Sequence, residues 1–141
     1  MPACNILKLQ RVQNSAARIV LQAPRRSHTE PLLRQLHWLL VQHRIKYKLA
    51  VLTYKVRTTS TPAYLSRHIK LHDSVRTLRS AMTIRLSEPF ASTAFAKRAF
   101  RCSAPAAWNS NLPTTVTDNN STGTFESRLK TFLYSLAYNG Y

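Results

Sequence analysis

The stretch VQHRIKYKLAVLTYKVR, residues 41–57, contains no glycine, no proline and no acid. At 100° per residue Val41, Ile45, Leu49, Leu52 and Val56 fall within about 80° of one another, while His43, Lys46, Tyr47, Ala50, Tyr54 and Arg57 share the opposite side. That spacing predicts a long amphipathic helix, with an aliphatic side for burial and a basic, tyrosine-bearing side for something else. Cations interleaved with aromatics suit phosphate contact combined with base stacking. The competing use of the same side is packing, with Tyr47 and Tyr54 against another helix and their hydroxyls at the rim.

Working outward toward the N-terminus, Leu32, Leu33, Leu36, Leu39 and Leu40 continue a helical pattern that runs on or bends near Trp38. Thr29, Glu30 and Pro31 read as an N-cap followed by a first-turn acid and proline. Before the basic break Pro24-Arg25-Arg26-Ser27, residues Leu9, Val12, Ala16, Ile19 and Val20 form one helical stripe. Lys8, Arg11, Ser15 and Arg18 form a second stripe about 110° around the same helix.

Toward the C-terminus, Thr58 to Pro62 stop the central helix and Thr61-Pro62 begins a short one. Met82, Ile84 and Leu86 alternate with polar residues as a strand would, and Pro89 ends that run. Pro105 starts a turn of helix at Ala106 to Trp108. Residues 109–124 (NSNLPTTVTDNNSTGT) have turn and linker chemistry. A last amphipathic helix places Phe125, Leu129, Phe132, Leu133 and Leu136 on one face. The expected fold is mainly α: a small helical domain of about four amphipathic helices, with a strand-like or irregular segment near 80–105. The expected organisation is a basic helical region over 1–108, a flexible linker over 109–124 and a C-terminal helix over 125–141.

A chain of 141 residues can bury a core of its own, and its 44% hydrophobic content is that of globular proteins. Its charge is not average: 21 Lys plus Arg against 5 Asp plus Glu leaves +16, spread as +10 over residues 1–60 and +6 over 61–141. Such a balance points to nucleic acid or another anionic surface, or to an acidic neighbour that this chain packs against. Cys4 and Cys102 stand 98 residues apart with no Cys-x-x-Cys, which predicts neither a zinc pair nor a disulfide scaffold and suits a reducing compartment. No apolar run is long enough to span a bilayer, and Lys8 and Arg11 break the first apolar stretch, so neither a membrane partner nor a secretory signal is expected. The start is acid-poor in the manner of a transit peptide, yet the later segments are equally basic. An intracellular location, nuclear or cytoplasmic, is the expectation.

Catalysis finds little material. Glu30, Asp73, Glu88, Asp118 and Glu126 are all the acids, and no two are closer than eight residues, whereas two-metal phosphoryl transfer needs carboxylates converging on ions about 4 Å apart. His68 and His72 have the i, i+4 spacing of a helical metal pair, but without the glutamate and third ligand of a zincin they read as surface histidines in a basic loop. Gly123 and Gly140 are the only glycines, so no phosphate-cradling loop and no nucleophile elbow is present. No cofactor, metal or small-molecule substrate is expected.

The order of several short motifs resembles a known family. LQRVQNSAARIV (9–20), LHWL (36–39), LTYK (52–55), PAYLS (62–66), LRS (78–80), KRAF (97–100), Ala104-Pro105, Trp108-Asn109, Leu112-Pro113 and FESRLKTFL (125–133) are similar to the C-terminal region of the reverse transcriptase polyprotein of LINE-type (non-LTR) retrotransposons. The likeness runs from about Leu9 to Leu136. Leu40 stands where the family usually has proline, Thr58 to Thr61 lack its glycine, Ala96 replaces another, and WNSNLP has one residue more than the usual WNSLP. Each lost Gly or Pro removes a backbone constraint, so looser loops are expected.

The resemblance implies a segment beyond the polymerase fingers, palm and thumb, with the polymerase aspartates and the endonuclease outside this chain. Its implied role is non-catalytic: to hold RNA or DNA by the phosphate backbone, or to brace the polymerase body of the parent enzyme. The residues expected at phosphate are Lys8, Arg11, Arg18, Arg25, Arg26, His43, Lys46 and Arg57, with Tyr47 and Tyr54 as stacking partners. Two other readings follow from the same residues: a structural docking segment using Leu32, Leu36, Val41, Ile45, Leu49 and Leu52, and an unselected transposon fossil.

Overall fold

The computed structural model describes residues 3–72, 85–110, 112–117 and 121–138. Over these residues the chain is mainly helical, as its periodicities require. In order come α1 (Ala3–Val20), α2 (Thr29–Gln35), α3 (Val41–Thr59), α4 (Ala63–Ser66), a 3-10 turn (Ala96–Arg98), α5 (Phe100–Asn109), α6 (Thr114–Thr117) and α7 (Thr122–Tyr138). Two compact units are formed, one from Met1–Tyr47 with Lys130–Tyr141 and one from Lys48–Leu129, so α3 and α7 each contribute to both.

With so little glycine, the helices end on residues that carry side chains. Gln22, His37 and Ser60 follow α1, α2 and α3 with φ of 50°, 52° and 54°. The first two close Schellman-type ends, in which Ala23 N donates to Arg18 O at 2.9 Å and Trp38 N donates to Leu33 O at 2.9 Å. The pattern Leu32 to Leu40 therefore does not run on: α2 stops at Gln35 and a new helix starts at Val41. The cap of α2 is His28 rather than Thr29, and it makes no side-chain capping bond.

In the first unit α1 packs on α2 through a face offset from its apolar stripe. Gln13 and Ala17 are buried at 7% and 0% exposure, while Leu9, Val12, Ile19 and Val20 are 44%, 66%, 77% and 57% exposed. The inward set, half-buried Gln10 with buried Gln13 and Ala17, is the expected set Leu9, Val12, Ala16 moved by one residue, a rotation of about 100°. Hydrogen bonds and close approach decide this. Gln13 Nε2 donates to Leu39 O at 2.8 Å, Gln10 Oε1 accepts from Val41 N at 3.0 Å, and small Ala17 seats Leu33 beneath it. Tyr138 completes this core, its hydroxyl donating to Trp38 O at 2.5 Å, with Leu36, Trp38 and Tyr134 packed around it. Leu32 and Leu36 are thus occupied within the unit.

In the second unit Tyr54, Phe125 and Trp108 stack in series. The Tyr54 and Phe125 centroids are 4.2 Å apart and those of Trp108 and Phe125 5.9 Å. The second half of α3 is buried on most sides, at Ala50, Val51, Thr53, Tyr54 and Val56, with Leu52, at 36%, and Lys55 exposed. The aliphatic side expected to be hidden is buried at Val56, half-buried at Val41, Ile45 and Leu49 and open at Leu52, while Ala50 and Tyr54 on the tyrosine side are buried as well. On α7 the expected face holds at Phe125, Leu129 and Leu133, all 3% exposed or less, while Leu136 is 39% exposed. The helix begins at Thr122, before Phe125.

Two further segments differ from the sequence reading. Helix α5 starts at Phe100 and carries Pro105 in its interior, so proline does not begin it. Within 109–124, expected as a flexible linker, Thr114–Thr117 form a helical turn with Val116 buried at 4%, and Arg128 Nη1 donates to Thr115 O at 2.9 Å. Of the strand-like run, Met82 and Ile84 lie outside the described residues, while Leu86 forms an isolated antiparallel bridge with Leu71.

Candidate nucleic-acid interface

The densest group of expected phosphate ligands sits in the first unit, where α1 ends. Ser27 N donates to Pro24 O at 2.9 Å, which closes a tight turn with Arg25 and Arg26 at its exposed central positions. Arg18 braces that turn, its Nε and Nη2 donating to Ser27 O at 3.3 and 3.2 Å. Arg18 and Arg25 line one concavity of about 560 Å3 together with Ser15, Ile19, Gln22 and Ala23. Hydroxyl, amide and guanidinium donors face this space, and among the described residues no acid lines it.

Lys8 and Arg11 are exposed on the same helix. Arg11 lies about 10 Å along the axis from Arg18. Lys46 is exposed near the start of α3, a region tied to α1 at Gln10, about two helical turns from Arg18. The structure therefore brings Arg18, Arg25 and Arg26 together and leaves Lys8, Arg11 and Lys46 as outlying cations.

Two expected site residues, Tyr54 and His43, are corrected, and a third, Arg57, is half-buried with an intramolecular partner. Tyr54 is 2% exposed, with a ring face covered by Phe125, so no base can stack on it. Arg57 lies with its guanidinium carbon 5.4 Å from the Trp108 ring centroid, a cation–π contact that spreads it over the core of the second unit. His43 is half-buried, its Nδ1 is enclosed without a partner, and burial together with nearby Lys46 pushes its pKa below the ordinary 6.5, which disfavours the charged form that phosphate contact needs. Tyr47 is half-buried on α3.

A second cationic group escaped sequence reasoning. Arg67, His68, Lys70 and Arg101 line a concavity of about 380 Å3 with Ser87 and Pro89 in the second unit. Arg101 is 31 residues beyond Lys70, and one backbone pairing and two side-chain contacts to backbone bring them together. Ser87 N donates to Lys70 O at 2.8 Å and His72 N to Arg85 O at 3.0 Å, which pairs the two segments. Asn109 then acts as a substitute strand: its Oδ1 accepts from Leu86 N at 3.0 Å and its Nδ2 donates to Leu86 O at 2.8 Å. Cys102 Sγ lies 3.9 Å from Pro89 O and sets the start of α5 against the same segment. The only signals in the sequence were the Leu86 alternation and Asn109, and neither points to the arginines.

Among the described residues no three His, Cys, Asp or Glu side chains gather where a metal ion could be held, and no helix is long and apolar enough to cross a membrane. Comparison with protein-family models, with curated proteins and with solved structures found no match to this chain.

Proposed function

We propose that the chain is a non-catalytic nucleic-acid-binding segment of the kind found at the C-terminal end of a LINE-type retrotransposon reverse transcriptase, with the phosphate backbone as its ligand. The reading rests on uncompensated charge. Among the described residues only Arg34 and Lys55 have a carboxylate in ion-pair reach, Glu30 at 3.0 Å and Glu126 at 2.9 Å, in a chain that carries +16. The cations left over include the braced Arg18–Arg25–Arg26 group, whose rigid turn holds two guanidinium groups outward at little entropic cost. Lys8, Arg11 and Lys46 extend the contact.

A titration of labelled RNA and DNA over a range of salt tests this reading. Binding falls steeply with salt, with a logarithmic slope of about −0.9 per DNA phosphate met. Arg25→Glu with Arg26→Glu weakens all sequences alike and lowers the slope by about two. Weak binding that ignores salt overturns the proposal.

One observation favours a second reading, docking on the polymerase body of a parent enzyme. The stripe Leu9, Val12, Ile19 and Val20 on α1 is apolar, contiguous and open, and it replaces the faces that the sequence suggested for docking. Under that reading the isolated chain self-associates, and Val12→Gln with Ile19→Gln disperses it. A dispersed wild-type monomer with a sharp melting transition removes it.

A further inference from the structure

The cavity of the second unit carries an inference that does not depend on how α1 behaves. We propose that Arg67, Lys70 and Arg101 form a pocket for the terminal phosphate of a nucleotide, with Phe90, next in the chain after the lining residue Pro89, as the platform for the base.

Like charges are gathered here by backbone geometry rather than by chance side-chain positions. Lys70 O is held by Ser87 N at 2.8 Å, and the partner segment is clamped by Asn109. Among the described residues no carboxylate lines the cavity. The nearest acid in sequence, Glu88, is engaged elsewhere, accepting from Asn109 Nδ2 at 2.8 Å. Arg101 occupies the first turn of α5, a turn with no acid, where the helix dipole disfavours a cation and favours an anion. A bound dianion relieves both the mutual repulsion and the unfavourable dipole. Two guanidinium groups can each grip two phosphate oxygens, and the Ser87 hydroxyl adds a neutral donor. The cavity, about 380 Å3, lies at the small end of the range for small-ligand sites, with room for more than a single phosphate.

Phe90 separates a nucleotide from a bare anion as the ligand. It follows Pro89, which lines the cavity, and it is 89% exposed, more than any other large apolar side chain among the described residues. A bare phenyl ring one residue beyond the lining of a cationic cavity is close enough along the chain for the pairing that single nucleotide units use, phosphate contact together with base stacking.

Isothermal titration of the full chain with adenosine 5′-monophosphate, adenosine and pyrophosphate reads this directly. The monophosphate is expected to saturate at one per chain and adenosine to bind at least about tenfold more weakly. Arg67→Gln with Arg101→Gln weakens the monophosphate and pyrophosphate by about tenfold or more, and Lys70→Gln gives a smaller loss in the same direction. Arg44→Gln with Lys48→Gln, two exposed cations on α3 outside either cationic group, leaves both unchanged. Phe90→Ala weakens the monophosphate by about fivefold or more and spares pyrophosphate. Equal losses from the two cation pairs would mean a diffuse field and overturn the site, as would adenosine binding as well as its monophosphate. A Phe90→Ala chain with unchanged monophosphate affinity overturns the nucleotide assignment. Oligonucleotides with 5′-phosphate or 5′-hydroxyl ends identify the source: a preference for the phosphorylated end that the double glutamine variant abolishes assigns the pocket to chain ends, and monophosphate binding without that preference assigns it to free nucleotide.

Discussion

Tyr54 lies nearly parallel to Phe125, with 11° between ring planes and 4.2 Å between centroids, and the two are 2% and 0% exposed. A ring in that position contributes through buried area and offset stacking, so the pair anchors the second unit rather than any ligand. Phe125→Ala is expected to cost roughly 3–5 kcal/mol, whereas Phe90→Ala, at an open position, stays within about 0.5 kcal/mol. Urea unfolding of the two variants side by side checks this, and similar midpoints would remove the assignment of Phe125 to the core.

Asn109 meets both backbone groups of Leu86 and the Glu88 carboxylate through one side chain. Asn109→Ala leaves the backbone groups of buried Leu86 without these partners and is expected to cost about 1–3 kcal/mol. Asn109→Asp is the more severe change, because an acceptor then faces both Leu86 O and Glu88. Amide exchange at Leu86 should accelerate in each variant. Unchanged protection there would show that the clamp is dispensable.

Burial first, and Lys46 second, hold the His43 pKa below 6.5. For a base this means that the unfolded chain takes up the proton before the folded one does. The folded state accordingly has its full stability above pH 6.5 and loses it as the pH falls through that value toward the folded pKa. His43→Gln removes this dependence. Comparing urea midpoints at pH 7.5 and 5.5 for both proteins reads the effect: a wild-type loss in acid no larger than the variant's contradicts it.

Gln22 ends α1 at φ 50°, a region where a side chain is strained and glycine is not. Gln22→Gly is expected to stabilise by about 0.5–1 kcal/mol, while Ala16→Gly inside the same helix costs about 1 kcal/mol. Thermal melts of the two variants should move in opposite directions. Gln22 also lines the concavity beside Arg18 and Arg25, so any accompanying change in polynucleotide affinity reports on that surface.

Much of the architecture could be read directly from residue order. Periodicity located α1, α3 and α7, identified Phe125, Leu129 and Leu133 as core, and showed a chain rich in cations and poor in acids. These are local properties: each depends on residues a few positions apart along a helix or on composition alone. Periodicity states which side chains share a face and is silent on which face finds a partner. The choice of Gln13 and Ala17 over Val12 and Ile19 came from Leu39 and Leu33, at distances in sequence that no window covers. The burial of Tyr54 came from Phe125, and the meeting of Lys70 with Arg101 came from Ser87 and Asn109. Helix ends were hidden for a related reason: the chain turns at Gln22, His37 and Ser60, where packing holds a conformation that the residues themselves do not prefer. Local preference thus determined that the protein is helical and basic. Long-range hydrogen bonds and close packing, which outweigh a one-residue difference in amphipathicity, decided which cations are gathered and which aromatics remain open.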